Sequence, residues 1–515
     1  MFDDTVAILG IPIDNVTMDE AIDRIFLMIR TYADDLRPRL VATVNVDFLT
    51  NSLSWFAGQP RHPELLRILR RADMVTADGM PLLWISRIIG KSLKERVTGA
   101  DLAPRLAKEA ARRGKSIYFL GGAGDAGEKA AQILHQKFPD LTIAGLDAPF
   151  VYVSGERLES AYEADTPIVE QINNSKADIL LVAFGNPKQE VWFARNRERL
   201  QVPITIGIGG TFEFITQQVR RAPLWMQKAG LEWVFRISQD PKRLWKRYLL
   251  GFFKLFTMIL PVAILYQLDR ILFKIRRRQQ TLPNTDNYVL TDDSTFQIIP
   301  FPEELDAAEV ELLNAEFYRK ATLCSHTILD FRRVTFIDSS GIGFLIKLWR
   351  QASEEGKQLY LAAIGSVVRR ALEISRANDL FRDMECDDVD QAFEKIQTHN
   401  EIPPFFYYAS PRAEYTLFRL FGALDAAAMT TLDMNAIFKG IRHRFCVIDL
   451  SNLNFVDSSG IIFFLKIRKH INADGGICVL FQMQETVNQM FRITRLNQLF
   501  TITDDLSEAE KIILA

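Results

Sequence analysis

Four short stretches in the first half of this 515-residue chain hold polar residues of types that do chemistry. "TADGMP" sets Asp78 before Gly79 and Pro81, a sharp turn in which the aspartate is either a turn former or a carboxylate pushed into a cleft as a base. "TVNVDF" puts Thr43, Asn45 and Asp47 at alternate positions, on one side of a strand or its exit. "FLGGAGDAGE" spaces Gly122, Gly124 and Gly127 as G-x-G-x-x-G between a strand and a helix. That spacing lets backbone amides approach a diphosphate, and it also serves plain tight turns. "FGNPKQEVW" leaves a strand at Gly185 with Asn186, Gln189 and Glu190 available. No histidine competes for the role of base, since His62 precedes a proline and His135 sits within a helical pattern.

These stretches end apolar, β-rich runs: "RLVATVNVDFL", "SIYFLGG", "DLTIAGL", "ADILLVAFG" and "ITIGIGG". Helical patterns such as "DLAPRLAKEAARRGK" and "DAGEKAAQILHQKF" lie between them. The rhythm predicts an α/β fold over residues 1–219, doubly wound and Rossmann-like, with a parallel sheet and a site beyond the carboxyl ends of its strands.

From residue 220 to 280 the composition changes. Arg220 to Arg247 holds eight basic residues, two acidic ones (Glu232, Asp240) and three tryptophans (Trp225, Trp233, Trp245). "YLLGFFKLFTMILPVAILY" follows, apolar except for Lys254 and interrupted by Pro261, and "RRR" closes it. Nineteen residues is near the minimum for a span, and the basic flanks give no sidedness. In-plane or shallow insertion at a membrane surface is the expectation.

The remainder is an internal repeat behind a polar linker that starts at Thr281. "LDAA", "DSSG" and "RxNxLF" each recur 119 positions on, which marks two domains of one kind at 281–400 and 401–515. Each DSSG opens an amphipathic helix, so its serines, Ser339 and Ser340 or Ser458 and Ser459, have a plain use as helix caps. The four cysteines (Cys324, Cys386, Cys446, Cys478) form no CxxC pair, so neither a disulfide framework nor a zinc site is expected. A net charge of −2 gives no global pull toward nucleic acid. The N-terminus lacks a basic segment followed by an apolar run, and a cytoplasmic protein is expected.

Taken in order, "VNVDFL", "ADMVTADGMP", "ERVTGADL", "FLGGAGDAGEKA", "FGNPKQEVW" and "IGIGGTFEFITQQVRRAPLWMQKAGLEWVFRISQDPKRLWKRY" resemble the WecG/TagA/CpsF glycosyltransferases over about Val6 to Tyr248. The resemblance implies transfer of an N-acetylmannosamine-type sugar from a UDP donor to a polyprenyl-diphosphate-linked sugar, with inversion and no metal or other cofactor. It implies Asp78 as base, and Arg96, Arg236, Arg243 and Arg247 as candidates to stabilise the departing diphosphate. Thr43, Asn45, Asn186, Gln189 and the glycines Gly122 and Gly124 would hold donor or acceptor. The basic appendage would close over the site and touch the membrane, placing the protein peripherally on the inner face of the plasma membrane.

Each repeat resembles the STAS domain of anti-sigma-factor antagonists, over about 287–399 and 404–515, which implies a small mixed sheet with helices on one side. Ser339 and Ser458 then match the phosphorylation target of a partner kinase, and the two domains are expected to dock a kinase or anti-sigma-like regulator. The competing expectation is a partner-switching regulator whose first domain only senses a sugar nucleotide.

Overall fold

The computed structural model describes residues 4–54, 61–148, 162–239, 241–277, 296–320, 325–397, 405–411, 414–441, 443–473 and 475–514. The polar linker from Thr281 to Thr295 and Cys324 lie outside them.

The first domain is built on a six-stranded sheet in the order Met74–Ala77, Arg39–Val44, Ile204–Gly207, Ile179–Ala183, Ser116–Gly121, Thr142–Asp147. Every neighbouring pair is parallel. Strand alternation sends side chains to two cores, as a sheet covered on both faces requires. Leu40, Ala42, Val44, Leu180 and Val182 enter one core, while Val41, Ile179, Leu181, Ile204 and Ile206 enter the other. The strand that precedes Asp78, Met74–Ala77, is an edge strand. An N-terminal antiparallel hairpin, Thr5–Ile8 with Ile11–Asp14, flanks that edge.

A long helix, Pro241–Arg277, follows the sheet domain. Its 37 residues reach about 55 Å. It continues through Pro261, so the apolar run is one helix. One face packs on protein along its length: Leu255, Met258 and Ile259 enter a core of the sheet domain, and Tyr266 and Phe273 meet Phe336 of the first repeat. Lys254, which looked like an interruption of an apolar run, is buried and donates to the carbonyls of Thr50 and Leu53 at 2.5 and 2.7 Å. It thus satisfies the carbonyl end of the short helix Val46–Ser52, where a cation is favoured. The opposite face leaves Leu249, Phe253, Phe256, Leu260, Ile264 and Leu268 exposed.

The first repeat has a parallel sheet ordered Glu385–Cys386, Gln358–Ala362, His326–Asp330, Phe296–Pro300. The second has five strands, of which the first two, Phe405–Pro411 and Thr416–Leu424, form an antiparallel pair. The serine helices, Ser339–Glu354 and Ser458–Ala473, start 119 positions apart. In both repeats the DSSG glycine, Gly341 or Gly460, lies where a Cβ would collide with the carbonyl of the LDAA leucine, Leu305 or Leu424. The glycine of DSSG and the leucine of LDAA are therefore one packing unit.

Helices cover both faces of each sheet, not one. Leu359 and Leu361 face the serine helix, while Tyr360 and Ala362 face the helix Val389–Gln397. That helix is shared between the repeats: Phe393 packs at 4.8 and 4.7 Å from Phe406 and Phe421 of the second. In the second repeat the final helix, Leu506–Leu514, takes the corresponding place through Ala509 and Ile513.

Candidate active site

The carboxyl ends of four adjacent strands open into a cavity of 470 Å³, within the range that holds small ligands. Thr43 and Asn45 come from the second strand of the sheet, Asp78 from the edge strand, and Gly185, Asn186 and Gln189 from the fourth. The roof comes from beyond residue 219, with Arg221, Glu232, Trp233, Arg236, Tyr248 and Phe252 all lining the cavity. Trp233 and Phe252 meet edge-on at 4.9 Å, giving this wall a fixed aromatic corner.

Asp78 sits at the tip between its strand and the helix Met80–Ile89, whose first turn holds Pro81. Its backbone N–H donates to the Val44 carbonyl at 2.7 Å, so the sheet ladder extends to the aspartate itself. Burial raises its carboxyl, Arg236 and Arg96 pull it back down, and Glu232 and Asp101 push it up again. The net result is a carboxyl at about 6, half-buried against the cavity. A group with that value is mostly ionised at neutral pH yet basic enough to take a proton, the compromise a general base needs.

The arginines divide into two kinds. Arg96 is tied to Glu232 at 2.9 Å and lies 3.7 Å from Asp101. Arg221 forks onto Asp101 and approaches Glu232 at 3.7 Å. Asp101 is also fixed by Thr98, whose hydroxyl donates to it at 2.8 Å. Arg236 makes no ion pair among the described residues; it stacks over Phe214 at 4.6 Å on the cavity wall, and the charge it acts on there is that of Asp78. Arg243 and Arg247 fall on the first turns of the long helix, and their side chains lie outside the described residues.

The polar floor is largely committed to holding itself. Thr43 donates its hydroxyl to the Gly207 carbonyl at 2.8 Å, and Asn45 caps the helix Val46–Ser52 through the Asp47 N–H. Asn186 accepts from Asn51 at 2.9 Å, and its own buried amide nitrogen has no partner among the described residues. Gln189 accepts the Gly209 N–H at 3.0 Å and donates to Glu190 at 2.7 Å. Glu190 is wholly buried, and burial pushes its carboxyl up to about 8. At pH 7 the protonated, neutral form therefore predominates.

Gly122 and Gly124 do not line the cavity. Their strand lies one place further along the sheet, and a Cβ on Gly122 would come within 3.0 Å of the Gly127 nitrogen and 3.1 Å of Phe212. The glycine spacing here serves the close approach of strand and helix. Arg221, Glu232 and Trp233 were missed as site residues; the dense basic and tryptophan-rich composition after residue 219 was their signal.

The serines part company. Ser339 and Ser340 are buried with hydroxyls that find no partner among the described residues, and Gly90 of the first domain lies so close to Ser339 that a Cβ there would sit 2.6 Å from its oxygen. Ser339 is thus closed to a kinase in this arrangement, because the first repeat packs its serine helix on the sheet domain. Ser458 is exposed and Ser459 half-buried.

The glycosyl transferase WecG/TagA/CpsF family model matches residues 6–266, and the STAS domain model matches 288–396 and 408–509. The chain is 27% identical over 219 residues to an N-acetylglucosaminyldiphosphoundecaprenol N-acetyl-beta-D-mannosaminyltransferase of Bacillus spizizenii, covering 42% of this chain and 78% of that one. Enzymes of the same name from Bacillus subtilis (27% over 245 residues, 48% and 87%) and Staphylococcus aureus (26% over 240 residues, 46% and 86%) match similarly. The matched stretch includes the roof and most of the long helix, in keeping with their share of the cavity wall. The chain is a member of the WecG/TagA/CpsF glycosyl transferase family and carries two STAS domains behind its transferase half.

Proposed function

We propose that this protein transfers an N-acetylmannosamine-type sugar from UDP to a polyprenyl-diphosphate-linked amino sugar, inverting the anomeric carbon without a metal. The carrying observation is Asp78 at about 6 on the wall of a cavity roofed by Arg236. The relatives' names state a mannosaminyl donor group and a diphosphoundecaprenol-linked acceptor. In the reaction, the acceptor hydroxyl attacks the anomeric carbon as Asp78 accepts its proton, and the bond to the UDP oxygen breaks on the opposite face. Arg236 takes up the charge growing on the departing diphosphate, and Arg96, locked by Glu232, shapes the wall beside the base.

We place the enzyme on the cytoplasmic face of the plasma membrane with the long helix lying in the interface. Its apolar stretch, Tyr248–Phe273, is long enough to cross a bilayer. However, contacts with the sheet domain at one end and with the first repeat at the other hold the same helix flat against protein. The exposed row from Leu249 to Leu268 supports shallow insertion. A regulator, in this reading, docks on the second repeat around Ser458, because the first repeat's equivalent face is occupied.

The test is UDP release by the full chain with UDP-N-acetylmannosamine and a synthetic polyprenyl-diphosphate acceptor. Asp78→Asn is expected to lose about a hundredfold or more in kcat. An Asp78→Asn variant as fast as the parent would remove the aspartate from its role. Tight nucleotide-sugar binding with no turnover would favour the sugar-nucleotide sensor instead.

A further inference from the structure

The first STAS repeat reaches the strand that carries the base. Lys347, on its serine helix, is buried and pairs with Asp14 of the N-terminal hairpin at 2.6 Å. The other oxygen of Asp14 accepts the backbone N–H of Val75 at 2.7 Å. Val75 lies on the edge strand Met74–Ala77, three residues before Asp78. One side of that strand is laddered to Arg39–Val44, and on the other the Val75 N–H has a carboxylate where an interior strand would have another strand.

The contact is built at backbone level. Gly343 of the serine helix lies where a Cβ would sit 2.8 Å from the Thr5 carbonyl, so only a glycine lets helix and hairpin approach this closely. Ala7 of the hairpin belongs to the hydrophobic core of the repeat. Arg70, itself buried, clamps Asp379 of the repeat at 2.8 and 3.1 Å while its Nε donates to the Gly10 carbonyl at the hairpin turn. This is a permanent-looking seam, not a surface graze.

We propose that Lys347 of the first STAS domain is a positioning residue for the transferase reaction, acting through Asp14 and Val75 on the strand that presents Asp78. Asp14 is 4% exposed. Burial alone would push its carboxyl up, and the Lys347 ammonium with the Val75 N–H holds it below its ordinary value. Removing Lys347 leaves a buried, poorly compensated carboxylate at the back of the edge strand; among the described residues Arg24 is a second cation near it, at 3.7 Å. That carboxylate is relieved by taking up a proton or by the hairpin drawing away, and either change weakens its hold on the Val75 amide and loosens the placement of Asp78. The STAS domain in this arrangement is a structural member of the transferase.

The inference rests on the transferase reading, and two measurements on the full chain separate their failures. Lys347→Met is expected to lower kcat about tenfold or more with KM for the UDP-sugar nearly unchanged, since misplacing a catalytic group costs turnover. Amide hydrogen exchange should quicken locally at 74–78, on the order of a hundredfold, while the far strands stay protected. Asp14→Asn with Lys347→Met removes both charges and keeps an acceptor for Val75, so it should recover most of both losses. If the parent enzyme turns over no donor, the transferase reading fails and the exchange measurement still decides the coupling. Lys347→Met with parental kcat and parental exchange overturns the proposal. So does a double variant no better than the single one, or one that fails to fold when the single also fails.

Discussion

Asp78 carries opposite signs for stability and for function. Its folded value of about 6 lies above the ordinary 3.8, so the folded state binds the proton more tightly than the unfolded chain. Stability contributed by the protonated form is full below about pH 4 and is lost as pH rises through 6. Asp78→Asn should therefore raise the unfolding free energy at pH 7 by about 1–2 kcal/mol, allowing for partial solvent screening, with little gain at pH 3.5. Chemical denaturation at the two pH values checks this, and the parent's kcat/KM should fall on the acid side with a midpoint near 6. Glu190 follows the same sign in a higher window. With its carboxyl at about 8, Glu190→Gln should gain on the parent steadily between pH 5 and 8, and a flat difference would show that the side chain is not buried as a neutral acid.

At this scale the sequence was readable where chain order alone places a residue. Thr43 lies at the carboxyl end of its strand and Asn45, Asp78, Asn186 and Gln189 follow theirs, and parallel strands must deliver their carboxyl ends to one edge. For Arg221, Glu232 and Trp233 the composition after residue 219 marked the segment but not the individual residues, since which side chains reach the cavity depends on how the chain returns over the sheet. Gly122 and Gly124 were overread because a phosphate loop and a close strand–helix turn need glycine for the same steric reason.

At the scale of elements, the long helix has two apolar faces with different partners. Deleting Tyr248 to Arg278 would strip Leu255, Met258 and Ile259 from the core and Tyr248 and Phe252 from the cavity, so loss of membrane attachment would be confounded with loss of fold. The clean experiment charges the outer face: Phe253→Asp with Phe256→Asp should abolish flotation with anionic vesicles while thermal unfolding of the soluble protein shifts little. Continued flotation would sink the in-plane reading. Lys254→Met, in contrast, leaves two carbonyls at the end of Val46–Ser52 unsatisfied and should cost on the order of 1–3 kcal/mol in urea unfolding. The sequence could not assign Lys254 to a helix end, because that end lies two hundred residues earlier in the chain.

On the scale of the whole molecule, the repeat is symmetric in fold and asymmetric in use. The face that grips the hairpin in the first copy, with Gly343 and Lys347, corresponds to Ile462 and Lys466 in the second, where it stands open with Leu465, Ile493 and Leu499 also exposed. Ile462→Asp should leave sugar transfer at the parental rate while abolishing any regulator's effect on it, read by UDP release with and without that regulator. A fall in the unregulated rate would mean that the second copy also supports catalysis. The 119-residue offset announced two equal domains; their unequal burial depends on what lies against each.

The glycine at 343 also fixes the order of the two copies. A chain with the repeats exchanged would have the same composition, the same cores and the same two serine turns. It would bring the Ile462 side chain to the place where the Thr5 carbonyl tolerates no Cβ, so the hairpin would find no seat. The two copies, though cast from one pattern, do not commute.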